Sequence, residues 1–121
     1  VSAIGVDATA GELPTGFDVV SLVRIIHDHD DDRALSMLRS ARRAHKPEGT
    51  LLIAEPLAGM DPAGALIDAY FNVYLLAMGS GRPRTIAGLS ELVRAAGFGP
   101  IRRHRSPVSL VTSVLSAQVS S

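Results

Sequence analysis

Runs of apolar residues along the chain predict alternating strands and helices. Residues 17–26 and 50–54 are nearly continuous apolar runs, and the first is entered from Pro14 and Gly16. Such runs are typical of strands that are buried on both faces. Between and after them, apolar residues recur at the three- and four-residue spacing of amphipathic helices. The predicted strands cover residues 1–6, 17–26, 50–54, 101–105 and 108–117, and the predicted helices follow residues 32, 62 and 85.

Capping residues and chain breakers delimit the three helices. A side-chain oxygen before a helix accepts a hydrogen bond from its first free N–H groups, and glycine or proline ends it. The N-cap candidates are Asp31 or Asp32, Asp61 and Thr85, and the predicted stops are residues 46–49 after the first helix and Gly97 after the third.

The order of the elements predicts an α/β domain. Strand–helix–strand units with short links produce mostly parallel sheets. The last two predicted strands are separated only by Ser106 and Pro107, so they form a candidate hairpin. A hairpin there would add one antiparallel strand at the C-terminal end of the sheet.

Composition narrows the possible partners. The 121 residues suit one domain, and 12 basic against 12 acidic residues give no net charge. Neither nucleic acid nor an anionic membrane surface is therefore an expected partner. Cysteine is absent, which excludes disulfides and thiol chemistry. No apolar run is long enough for a membrane span, and the composition suits a cytoplasmic protein.

Two titratable residues follow the predicted central strands. His27 ends the first apolar run, and Glu55 ends the second. Neighbouring parallel strands end at the same edge of a sheet, where open α/β sheets bind ligands. An imidazole beside a carboxylate is a common general-base pair. The pattern therefore predicts an active site at this edge.

A metal site is an alternative interpretation of the same segment. The spacing His27-x-His29-x-Asp31-Asp32 approaches the His-x-His-x-Asp-His motif of metallo-β-lactamase-like hydrolases, and these residue types bind zinc. The final position is aspartate instead of histidine. The remaining histidines lie in other predicted elements, which leaves a two-metal site short of ligands.

Several segments together resemble S-adenosylmethionine-dependent O-methyltransferases of the plant caffeate and hydroxyindole type. They occur in the order typical of that family and cover nearly the whole chain. The greatest likeness is to the bacterial carotenoid branch, the hydroxyneurosporene or demethylspheroidene O-methyltransferases. The matching segments are LVRIIHDHDDD at 22–32, KPEGTLLIAEP at 46–56, YFNVY at 70–74, AMGSGR at 77–82, RT at 84–85 and AAGF at 95–98.

The resemblance implies a partial Rossmann-like class I methyltransferase sheet, mostly parallel with a C-terminal antiparallel strand and with helices on both faces. Residues 1–121 would be the C-terminal part of the catalytic domain, since neither the glycine-rich cofactor loop nor the N-terminal dimerisation domain is found. The full-length parent would be a homodimer that methylates a small hydroxylated acceptor of the hydroxycarotenoid type. The chain alone would be inactive. A catalytically silent module is the remaining alternative.

The resemblance also implies roles at the sheet edge. His27 would be the general base, and Glu55 would orient it. Many family members have a second acid before the Arg-Thr pair, but this chain has Pro83 there. Half of the usual carboxylate support is therefore missing, and the strength of the base or the type of substrate is expected to differ.

Further residues are expected to hold the donor and the acceptor. The resemblance places Asp7 where the family contacts the adenine of S-adenosylmethionine, and a turn-forming aspartate is the alternative. Arg24 is the second expected cofactor contact, one residue after the position where plant members have lysine. Three residues, spaced four apart on one helix, would line an apolar acceptor pocket or pack in the core: Tyr70, Tyr74 and Met78.

Overall fold

Two neighbouring strands and the helix between them organise the fold. β1 (Phe17–Val23) is parallel to β2 (His45–Glu55), and α1 (Asp31–Ala44) connects them. The structure is a computed structural model and describes residues 1–10, 13–60, 64–105 and 112–120. The other elements are α2 (Gly64–Met78), α3 (Ile86–Ala95), β3 (Arg102–His104) and β4 (Ser113–Gln118).

The sheet has the order β1-β2-β4-β3, with β4 running against the other three strands. Leu22 of β1 pairs with Ile53 of β2, and Ile53 pairs across its other edge with Leu115 of β4. The α/β fold with a mostly parallel sheet and a C-terminal antiparallel strand is thereby confirmed. The turn predicted at Ser106 and Pro107 lies outside the described residues.

The core lies between one face of the sheet and the helices α1 and α3. Strand side chains alternate between faces, so every second residue of β2 and β4 points into this layer. The opposite face carries exposed residues such as Val19 and Val23. No helix in the described ranges is both long and apolar enough to cross a membrane. The core residues include Leu22, Ala34, Met37, Leu38, Ala41, Leu51, Ile53, Leu89, Val93, Phe98, Leu115 and Ala117.

The strand predicted for residues 1–6 is wrong. This segment has no regular secondary structure, and Val1, Ile4 and Val6 are exposed. An extended segment needs a neighbouring strand to pair its N–H and C=O groups. Within the described residues β1 pairs only with β2, so its second edge is not paired with residues 1–6.

Two strand ends and one helix cap differ from the sequence prediction. β1 ends at Val23 because Arg24 adopts a φ of +51°, and a 3-10 turn follows at Ile26–Asp28. β2 begins at His45, so residues 46–49 belong to this strand instead of a loop. The pairing of β2 with β1 is irregular there, because its register shifts between Phe17 and Val19. The N-cap of α1 is Asp30. The carboxylate of Asp31, one of the two predicted caps, instead accepts a hydrogen bond from Arg84, and Asp30 makes no side-chain capping hydrogen bond.

The limits of α3 agree with the sequence prediction. The Thr85 hydroxyl accepts a hydrogen bond from the N–H of Gly88 at 3.1 Å. Gly97 follows the helix with a φ of +93°, which favours glycine. The cap predicted at Asp61 lies outside the described residues.

Candidate active site

The side chains of His27 and Glu55 meet at one edge of the sheet. His27 lies in the turn that follows β1, and Glu55 is the last residue of β2. Because the two strands are parallel neighbours, their ends lie together. Nδ1 of His27 is 2.5 Å from Oε2 of Glu55, and both residues are buried. The contact expected from the sequence is therefore present.

Glu55 is held by the backbone of the same turn. Its Oε1 accepts hydrogen bonds from the N–H groups of Ile25 at 2.9 Å and Ile26 at 2.7 Å. A carboxylate that only accepts requires the proton on Nδ1 of His27. The tautomer assigned from these partners carries its free lone pair on Nε2, which is the state needed in a general base.

Asp28 places a second carboxylate at the imidazole. Its Oδ1 lies 3.2 Å from Nε2 of His27, on the side away from Glu55. The same oxygen is buried and makes no hydrogen bond with the described residues. The imidazole therefore lies between two carboxyl groups. Asp28 was not among the residues predicted from the sequence, although its position directly after the candidate base was a usable signal.

Arg84 fixes the turn that carries His27. Its buried guanidinium donates to the carbonyl oxygens of Ile26 at 3.0 Å and His29 at 2.8 Å, one residue before and two after the imidazole. It also donates twice to Oδ1 of Asp31, at 2.9 and 2.8 Å. This hydrogen bond lowers the pKa of the Asp31 carboxyl group below its usual value. Arg84 therefore joins the start of α3 to the turn after β1.

The loop between α2 and α3 packs against the same turn. The Ser80 hydroxyl donates to the carbonyl oxygen of Asp28 at 3.1 Å, and the Gly81 N–H donates to Oδ1 of Asp30 at 3.1 Å. A Cβ on Gly81 would lie 2.2 Å from the carbonyl oxygen of His27. Only glycine fits this approach, so the loop positions the backbone of the candidate base.

We expect Gly81→Ala to destabilise the protein more than Gly79→Ala. Both glycines have positive φ, +85° and +79°, but a Cβ on Gly79 meets nothing within 4 Å. The strain common to both variants costs about 1–2 kcal/mol. The clash at Gly81 should raise its loss to about 2–5 kcal/mol. Urea unfolding of the two variants measures the difference in the free energy of unfolding. Equal decreases would show that the clash with the His27 carbonyl oxygen does not destabilise the protein.

A cavity of about 230 Å³ opens beside His27 and brings several candidate residues together. Tyr70 and Tyr74 are exposed, so they line the cavity instead of packing in the core. Met78 is exposed and outside this lining, and its contact with an acceptor stays a prediction. Phe71, which follows Tyr70 in the sequence, was not among the predicted site residues; it is buried, and its ring lies edge to face with those of both tyrosines. The lining residues are Arg24, His27, Asp28, Tyr70, Phe71 and Tyr74.

The two expected cofactor contacts differ in their surroundings. The guanidinium of Arg24 lies 5.8 Å from the ring centre of Phe71, in the cavity beside His27. Asp7 is exposed in a turn, where its Oδ1 accepts hydrogen bonds from the N–H and the hydroxyl of Thr9. These bonds, led by that of the hydroxyl, lower the pKa of the Asp7 carboxyl group. Their roles toward a cofactor stay predictions.

The alternative metal site is not supported. In the part of the chain that the structure describes, no three His, Cys, Asp or Glu side chains cluster closely enough to hold a metal ion. The physical reason is that the candidate ligands have other partners. Nδ1 of His27 is bound to Glu55, and the Asp31 carboxylate is paired with Arg84 and Arg82.

Comparisons with known proteins identify the family. Residues 1–99 match the family model of an O-methyltransferase domain. Demethylspheroidene O-methyltransferase of Rhodobacter capsulatus is 35% identical over 106 residues, which cover 88% of this chain and 27% of that protein. The protein of the same name from Cereibacter sphaeroides is 36% identical over 90 residues, which cover 74% of this chain and 24% of that protein.

The fold matches as well. Human N-acetylserotonin methyltransferase, solved in complex with SAM, has a TM-score of 0.82 at 24% identity, with 95% of this chain and 32% of that chain covered. At this identity the similarity shows the fold alone. The chain spans about a quarter of the length of the two curated relatives.

Proposed function

The chain belongs to the O-methyltransferase domain family, and on that premise we propose that it carries the general base of an S-adenosylmethionine-dependent O-methyltransferase. The observation that supports this most directly is the 2.5 Å contact between His27 and Glu55 at the sheet edge. We further propose that residues 1–121 are the C-terminal part of the catalytic domain of a homodimeric, cytoplasmic enzyme. The resemblance to longer family members supports this part of the proposal.

The proposed role of His27 is to take the proton of the acceptor hydroxyl on Nε2. Glu55 holds the proton on Nδ1, which leaves the lone pair of the neutral imidazole on Nε2. Once protonated, the imidazolium lies between the carboxylates of Glu55 and Asp28, and both stabilise its positive charge. The deprotonated oxygen is then the nucleophile for the methyl group.

S-adenosylmethionine, when bound, supplies a methyl group on a positively charged sulfur. Two exposed residues fit its polar parts, one by charge and the other as a hydrogen-bond acceptor. Arg24 lines the cavity beside His27 and offers a cation for the carboxylate of the donor. Asp7 offers a carboxylate oxygen to the amino group of adenine. The contacts of Arg24 and Asp7 with the donor are part of the proposal.

The proposed acceptor is a hydroxylated apolar molecule of the hydroxycarotenoid class. The cavity beside His27 is lined by the rings of Tyr70, Phe71 and Tyr74, which lie edge to face. Aromatic faces of this kind pack well against conjugated hydrocarbon. The names of the two bacterial relatives support the same class of acceptor.

A methyl-transfer assay on the product of the complete reading frame tests this proposal. We expect transfer from labelled S-adenosylmethionine to a hydroxycarotenoid and no transfer to the same carotenoid without its hydroxyl. The 121-residue chain alone should be inactive. Absence of transfer to any hydroxyl acceptor would favour the silent-module alternative. A reading frame that does not extend beyond these residues would overturn the proposed domain boundary.

A further inference from the structure

Phe71 occupies an unusual position on α2. Large apolar residues of this helix, such as Leu66, Val73 and Leu76, are 79%, 68% and 82% exposed. Phe71 is only 4% exposed, and Leu75, one turn later, is 2% exposed. These two side chains therefore attach the middle of α2 to the rest of the domain, and Phe71 does so at the candidate base.

The ring of Phe71 contacts the imidazole directly. The ring centres of Phe71 and His27 are 5.7 Å apart, and their planes are inclined by 85°. This edge-to-face arrangement is favourable and depends on the relative orientation of the rings. Rotation of the imidazole away from Glu55 would disturb it. The contact therefore holds the imidazole in the orientation that the carboxylate requires.

The same ring also contacts the guanidinium of Arg24, which lies 5.8 Å from its centre. Arg24 follows β1 with a φ of +51°, a conformation that residues with a side chain rarely adopt. The chain changes direction there, next to the turn that carries His27. Arg24, Phe71 and His27 thus form one continuous set of contacts in the cavity.

We propose that Phe71 is a positioning residue for His27 and that it couples the orientation of the imidazole to Arg24. Its importance for methyl transfer rests on the proposed function, in which Arg24 binds the donor and His27 is the base. Binding of the donor at Arg24 would then change the orientation of the His27 imidazole. The coupling itself is a property of the folded chain, so it can be measured without activity.

Solvent exchange of the Nδ1 proton of His27 tests the proposal in the 121-residue chain. Nitrogen-resolved NMR detects this proton, and its absence from His27→Gln assigns the signal. We expect Phe71→Leu to speed exchange by about two- to tenfold, the range that an aromatic pair corresponds to. Arg24→Gln should speed it by about two- to fivefold. Phe71→Tyr and Arg24→Lys keep the ring and the cation, and should behave like the parent.

Leu75→Ala is the matched control, because it loosens the same helix without removing a ring from His27. It should change the exchange rate much less than Phe71→Leu. Equal acceleration by both variants would mean that Phe71 only anchors α2, and it would overturn the proposal. So would an unchanged rate in Phe71→Leu. If Phe71→Leu does not fold, Arg24→Gln decides, since Arg24 is exposed and an unchanged rate there refutes the coupling.

Discussion

Replacing His27 with glutamine in the product of the complete reading frame is expected to lower the turnover of methyl transfer by about 10²- to 10⁴-fold. Glutamine has a similar size and its amide can still donate to Glu55, which holds the native imidazole at 2.5 Å. The amide cannot take a proton from the acceptor hydroxyl. Binding of S-adenosylmethionine should therefore survive while the chemical step is lost.

Single-turnover kinetics and calorimetry separate these two effects. His29→Gln is the matched control, because the same substitution is made two residues away, in a side chain with no proposed role in the transfer. Its turnover should equal that of the parent. Unchanged turnover in His27→Gln would remove His27 from the mechanism, and an equal loss in His29→Gln would point back to a site that uses both histidines.

Two replacements of Glu55 are expected to have different effects. Glu55→Ala leaves the backbone N–H groups of Ile25 and Ile26 and the ring N–H of His27 without their acceptor. Each unsatisfied group costs about 1–3 kcal/mol, so we expect a loss of about 3–5 kcal/mol in the free energy of unfolding. Urea unfolding measures this loss. Glu91→Ala, which removes an exposed carboxylate on α3, should stay within about 0.5 kcal/mol of the parent.

Glu55→Gln should instead affect catalysis more than folding. Its amide oxygen can still accept from the backbone of the turn, but its NH₂ group then faces Nδ1 of His27. The imidazole must carry its proton on Nε2, which is the wrong tautomer for a base. We therefore expect the turnover of Glu55→Gln to fall by about 10⁴-fold. Near-normal turnover of Glu55→Gln would show that Glu55 does not set the tautomer.

Much of the architecture was predictable because its signals are local. The apolar runs at residues 17–26 and 50–54 predicted β1 and β2, and hydroxyl and glycine signals at Thr85 and Gly97 predicted the limits of α3. The pairing of His27 with Glu55 followed from one further rule, that parallel neighbours end at the same edge. Periodicity, caps and strand order are properties that a sequence expresses directly.

The failures and omissions have a common physical cause. The apolar residues 1–6 have the composition of a strand, yet strand formation depends on a partner that the sequence pattern cannot name. Asp31 resembled a cap, but its carboxylate binds Arg84, 53 residues away. The roles of Phe71 and Gly81 also depend on contacts with His27 across the fold.

The sequence alone therefore determined the class of fold and the two titratable residues at the sheet edge. The tertiary structure decided what surrounds them. Arg84 donates hydrogen bonds to the carbonyl oxygens of the turn, Gly81 packs against the backbone of this turn, and Phe71 packs against the imidazole. Residue types and local spacing suffice for the first, because backbone geometry repeats every two or 3.6 residues. Contacts between residues about 45 to 60 positions apart exist only after the chain has packed.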